Sequence, residues 1–151
     1  MDEQTRHAIR LIFLSPRPNF VLGQASDLLG MSFEALKREV ADGAIVAVST
    51  RLGQRIPKEE MIAAAMERWP QEVIEEALGT DAAAVLPEAI RLVELRARVP
   101  RYQRDMLRYL AERDRTTVDG VLARELEDLA SAHADELARK VPGFGAAMKW
   151  P

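Results

Sequence analysis

Val93-Glu94-Leu95-Arg96-Ala97-Arg98-Val99-Pro100 constrains the architecture of this chain more than any other segment. Leu92, Glu94, Arg96 and Arg98 alternate with Val93, Leu95, Ala97 and Val99. This two-residue period predicts a strand with one charged and one apolar face. Pro100 ends it, having no amide to donate. A lone strand of this kind can neither satisfy its edge amides nor bury its apolar face, so it is marginal unless it pairs.

Downstream, Arg101 to Arg113 has helical spacing, with Met106, Leu107 and Leu110 expected inward. Thr116-Thr117 then caps a helix whose expected buried positions are Val118, Val121, Leu122, Leu126 and Leu129. That last helix is expected to run towards Lys140. Val141-Pro142-Gly143-Phe144 breaks it and leaves an apolar tail with Met148 and Trp150, which either folds back onto the core or docks a partner such as a toxin.

Strand, proline, helix, capped helix: in this order residues 93–130 resemble a ribbon-helix-helix module, the fold of small bacterial repressors and many antitoxins. The resemblance, together with the pairing argument, implies an obligate homodimer whose two strands form an antiparallel ribbon through Val93, Leu95, Ala97 and Val99. It also implies that Glu94, Arg96 and Arg98 face a major groove and that Arg101 and Arg104 hold phosphates. The amides at Thr117 and Val118 would meet a further phosphate. Asp119 departs from that pattern, because it repels phosphate. The plainer alternative is that the ribbon serves dimerisation alone, its arginines being solvated or paired with the acidic segment 71–90.

Upstream the charge changes sign. Residues 71–90 carry five acids and no Lys or Arg, whereas residues 91–115 carry eight Arg and four acids. The acidic stretch reads as an amphipathic helix from Gln71 to Leu78 stopped by Gly79, followed by an Ala-rich helical piece from Asp81 to Leu86.

Nearer the N-terminus, Glu3 to Leu14 is too densely apolar for a clean decision, with helix favoured, and Ser15-Pro16-Arg17-Pro18-Asn19 interrupts regular structure. From Phe20 a short helix carrying Ala25, Leu28 and Leu29 ends at Gly30. Ser32 caps a second, with Phe33, Leu36 and Val40 at helical spacing until Gly43. Ala44 to Val48 reads as a strand, Ser49 to Gly53 as a turn and Gln54 to Ile56 as a returning strand. Pro57 stands at the first position of a helix running through Met66.

Residues 21–61 resemble the excisionase-like and MerR-like winged helix-turn-helix domains. The resemblance rests on Leu22-Gly23-Gln24-Ala25, Leu29-Gly30-Met31-Ser32, Leu36-Lys37-Arg38, Asp42 to Val48, and Arg55-Ile56-Pro57-Lys58-Glu59-Glu60. It implies that the helix from Ser32 enters a major groove, presenting Ser32, Glu34, Lys37 and Arg38, while Arg51, Gln54 and Arg55 of the wing meet phosphates. Glu34, Glu39 and Asp42 leave that helix nearly neutral.

Composition limits the remaining classes. The 151-residue chain has a formal net charge of −3 and no cysteine, which removes disulfides and thiolate chemistry. No apolar run reaches the roughly 18 residues that cross a bilayer, and Met1-Asp2-Glu3-Gln4 is acidic where a secretory signal is basic, so no membrane partner and a cytoplasmic location are expected. No P-loop, GxGxxG, HExxH or GxSxG stands in the chain, and His7 and His133 lack ligand neighbours, so no enzyme activity, cofactor or metal is expected.

The expectation is a mainly α protein in five segments: an N-terminal helix and linker (1–19), a winged helix-turn-helix with a two-stranded wing (20–68), an acidic connector (69–90), a ribbon-helix-helix (91–131) and an apolar tail (132–151). Its expected role is that of a dimeric transcriptional regulator or autorepressor binding double-stranded DNA. The alternatives are an antitoxin that meets its toxin through residues 131–151 and a non-catalytic recombination accessory or assembly adaptor.

Overall fold

A computed structural model describes residues 1–150 and divides them into two compact units, residues 1–92 and 93–150. Both are dominated by helices, and a small antiparallel sheet lies in the first.

The first unit begins with α1 (Glu3–Leu14), capped by Asp2, whose carboxylate accepts from the Thr5 amide at 2.8 Å. Its inner face buries Ile9, Ile12 and Phe13, which resolves the ambiguous opening segment as a helix. Then come β1 (Asn19–Val21), α2 (Leu22–Leu28), α3 (Phe33–Ala41), β2 (Val48–Thr50), β3 (Gly53–Pro57), α4 (Lys58–Arg68), α5 (Gln71–Leu78) and the short α6 (Ala82–Val85). The sheet order is β1-β3-β2, with Phe20 opposite Ile56 and Ser49 opposite Gln54. One core, built on Phe13, Phe20, Leu29, Leu36, Ile56, Met61 and Ile74, joins helices and sheet.

Two features of this unit correct the sequence reading. The sheet has three strands rather than two, because Asn19–Val21 leaves the proline-rich break as a strand. Three residues are too few to show a period, and the partner strand lies far along the chain. In addition, residues 44–47 are not a strand. The amides of Ala44 and Ile45 turn back to the Glu39 carbonyl, at 2.9 and 3.3 Å, and the Val46 amide donates to the Glu60 carboxylate at 3.1 Å. Pairing of β2 with β3 could not continue far in that direction anyway, since Pro57 has no amide. Pro57 itself closes β3 and precedes α4 by one residue.

The acidic stretch 71–90 packs on the N-terminal helix within this unit, α5 lying against α1. Arg10 donates to the Ala77 and Leu78 carbonyls at the end of α5 and pairs with Asp81 at 2.6 Å; Arg6 reaches Glu76 at 3.8 Å. Beyond α6 the chain is tied back by Glu75, which accepts from the Leu92 amide at 2.7 Å.

The second unit contains α7 (Arg101–Asp114), α8 (Val118–Ala132), α9 (Ala134–Lys140) and α10 (Phe144–Ala147), with α7 and α8 packed as a helical hairpin. Thr117 caps α8 as its sequence predicts, accepting from the Gly120 amide at 3.0 Å. Residues 93–99 carry no strand within the single chain. The expected strand is absent there, and Val93 and Leu95 remain 86% and 76% exposed.

The expected interior of this unit is also largely open. Met106 is half exposed, Leu122, Leu126 and Leu129 face solvent, and among the described residues of 93–150 the buried hydrophobic ones are Ala111 and Val121. The helix expected to continue to Lys140 breaks at His133, whose φ of −119° and ψ of 18° are not helical. The tail does turn back, with α10 against α9, although Met148 stays exposed. Among the described residues no helix is long and apolar enough to cross a membrane.

Candidate nucleic-acid interface

The site begins with how α3 is held. Leu36 is fully buried beneath it, and Ser32 caps its first turn by accepting from the Ala35 amide at 3.2 Å. The turn between α2 and α3 closes through Gly30, whose φ of +61° suits glycine, and through the Met31 amide, which donates to the Ser26 carbonyl at 3.0 Å. Arg68 at the end of α4 donates to the Gly30 carbonyl at 3.1 Å, so the turn is braced from a third helix. Such a frame fixes the direction in which α3 presents its outer face.

That face carries Ser32, Glu34, Lys37 and Arg38, all exposed. The Lys37 ammonium lies 5.5 Å from the centre of the Phe33 ring, and the Arg38 guanidinium reaches the Glu34 carbonyl at 3.4 Å. Neither has an acidic partner within ion-pair distance among the described residues.

The β2–β3 hairpin turns through Arg51 and Leu52. Thr50 Oγ1 stiffens it by donating to the Gly53 carbonyl at 2.7 Å and accepting from the Leu52 amide at 3.2 Å. Arg51 and Gln54 are exposed and Arg55 is half-buried, so the hairpin supplies two further unpaired guanidinium groups. Sequence patterning does not single out Arg17, an exposed cation between α1 and β1 that donates to Gln24 Oε1 at 3.3 Å. The prolines on either side of it mask any signal.

In the second unit Glu94, Arg96, Arg98, Arg101, Arg104 and Thr117 are all exposed, as are Val93, Leu95, Ala97 and Val99. Several of these cations are already engaged. Arg96 pairs with Glu94 through two nitrogens at 3.0 and 3.1 Å, and Arg101 and Arg104 both lean on Asp105. Arg98 has no ion pair or hydrogen bond among the described residues. The hydroxyl of Thr117 is taken by its own helix cap.

At the junction of α7 and α8, Asp114 accepts from Arg113 at 2.6 Å and pairs with Arg124 at 3.0 Å. These two guanidinium groups hold its carboxyl down at about 2, below its usual 3.8. Its role is to join two helices.

No group of three or more His, Asp or Glu side chains gathers at metal-holding distance among the described residues. Compared with protein-family models, curated proteins and solved structures, the chain matches none.

Proposed function

We propose that this protein is a non-catalytic, dimeric DNA-binding regulator. In this reading α3 lies in the major groove and the β2–β3 hairpin lies along the backbone. The observation that carries the reading is a set of cations, Lys37, Arg38, Arg51 and Arg55, without acidic partners, displayed by a braced helix and a stiffened hairpin of one compact unit. A groove about 12 Å wide admits one such helix, and unpaired cations on the flanking hairpin suit phosphate. Helix, strand, helix, helix and hairpin in that order, with β1 completing the sheet, support the winged helix-turn-helix reading.

The dimer half of the proposal is supported by the second unit, whose apolar side chains lie largely uncovered and whose segment 93–99 lacks a pairing partner. Two α3 helices related by a two-fold axis would then favour a two-fold related site.

The test is fluorescence anisotropy of the whole protein on duplex DNA at a series of salt concentrations, followed by selection of bound sequences from a random pool. Binding that weakens with salt is expected. Replacing Lys37 and Arg38 by alanine should flatten the log–log salt slope by about 0.9 for each phosphate that is no longer neutralised, or change the selected sequence if either reads a base. Absence of salt-dependent binding would defeat the proposal and favour an assembly adaptor. A second reading, an antitoxin, draws support from Val141 and Met148, which stay exposed just past the ends of α9 and α10; it predicts a tight complex with a partner protein that is abolished when residues 131–151 are removed.

A further inference from the structure

We propose that residues 93–99 pair with the same residues of a second copy in one particular antiparallel register. The two-fold axis passes through Arg96, so that Glu94 of each copy stands opposite the partner's Arg98. This rests on the dimer reading above and adds the register and the ion pairs that select it.

In an antiparallel pair, directly opposed residues share a face, so any register that sets odd against even positions would place apolar side chains against charged ones. The symmetric registers that remain have their axes on single residues. With the axis at Ala97, Arg96 would oppose the partner's Arg98 twice over, and Glu94, opposite Pro100, would have no cation across from it. With the axis at Leu95, Glu94 would oppose the partner's Arg96, but Arg98 would oppose Leu92 and Val99 would oppose Arg91, so both ends of the segment would set charged side chains against apolar ones.

With the axis at Arg96 no apolar side chain of 93–99 opposes a charged one, and the one like-charge contact is Arg96 against its own copy. Val93 opposes Val99 and Leu95 opposes Ala97 on the apolar face, while two Glu94–Arg98 pairs form on the other. Opposite charges directly across a ribbon stabilise it and like charges destabilise it.

The single chain has the complementary half of this arrangement. Glu94 already holds Arg96 at 3.0 Å, both side chains being largely exposed, and Arg98 is without a partner among the described residues. In the ribbon, each Glu94 would sit between its own Arg96 and the partner's Arg98. This eases the one like-charge contact, Arg96 against Arg96 on the axis. Two carboxylates among four guanidinium groups leave the centre of the ribbon positive.

The absence of cysteine from the chain makes the register directly readable. Leu95→Cys, Arg96→Cys and Ala97→Cys, each alone in the full-length protein, should differ in the rate of disulfide-linked dimer formation under mild oxidation. Only the residue on the axis faces its own copy, at about 4.5–5.5 Å between Cβ atoms, whereas diagonal neighbours lie about 7–8 Å apart. Arg96→Cys is expected to link fastest.

Glu94→Arg should weaken dimerisation by about 2- to 30-fold by removing both pairs, and adding Arg98→Glu to the same chain should restore it. Sedimentation reads this in the intact protein. A dimer that links fastest through position 95 or 97, or a charge swap that fails to restore association, overturns the register and leaves the dimer standing. A monomer at micromolar concentration overturns the dimer itself.

Discussion

Arg115 is the non-glycine residue with positive φ among those described, at 53°, where it ends α7 and lets the Thr116 amide return to the Ala111 carbonyl at 2.9 Å. Glycine occupies such positions without the steric cost of a side chain. Arg115→Gly should therefore stabilise the α7–α8 hairpin by about 1 kcal/mol, measured by thermal unfolding; a fall in stability would mean that the guanidinium itself supports the hairpin. Asp114, one residue earlier, predicts an acid dependence. Its carboxyl titrates lower in the folded hairpin, at about 2, than in the unfolded chain, near 3.8. Its contribution is thus complete above about pH 4 and disappears as pH falls through about 2. Helicity followed by circular dichroism should show Asp114→Asn less stable than the parent at neutral pH and equal to it below about pH 2.

On the proposed reading, the single element α3 separates stability from recognition. Leu36 faces the core with no exposure, and Leu36→Ala should cost about 2–5 kcal/mol in urea unfolding. Lys37 and Arg38, its neighbours in sequence, face away from the core, so their replacement by alanine should change DNA affinity while leaving the unfolding midpoint nearly unchanged. Equal damage to both properties would mean that the outer face of α3 packs against something. The cap has its own signature: Ser32→Ala should lower stability by about 1 kcal/mol by removing the bond to the Ala35 amide. The hairpin is short because its neighbours take its hydrogen-bonding groups. Glu39 and Glu60 capture the amides of residues 44–46 before they can join the ladder.

For the molecule as a whole, the contrast between units is one of burial. Residues 1–92 enclose a core running from Ala8 to Leu86, whereas residues 93–150 bury little beyond Ala111 and Val121. On the proposed dimer reading, a unit that leaves Leu122, Leu126 and Leu129 uncovered and segment 93–99 unpaired gains most of its stability by association. Unfolding of the full chain should accordingly show one transition whose midpoint rises with protein concentration, assigned to 93–150, and one that does not, assigned to 1–92. Hydrogen exchange resolves the two. Concentration-independent melting of residues 93–150 would contradict an associating second unit.

The features legible in the amino-acid order are local in origin: the helices with clear periods, the Ser32 and Thr117 caps, and the glycine stops at Gly30, Gly43 and Gly79. Each depends on groups within four residues of one another, so spacing and side-chain chemistry suffice. The exposed positions of Lys37, Arg38 and Arg51 were legible for the same reason. Folding in three dimensions set the rest. It made Asn19–Val21 a strand by supplying β3, ended the expected strand at 44–47 through Glu60, and set α5 against α1 through Arg6 and Arg10. These outcomes depend on groups brought together from distant parts of the chain, and a pairing partner that arrives only on folding leaves no period in the sequence.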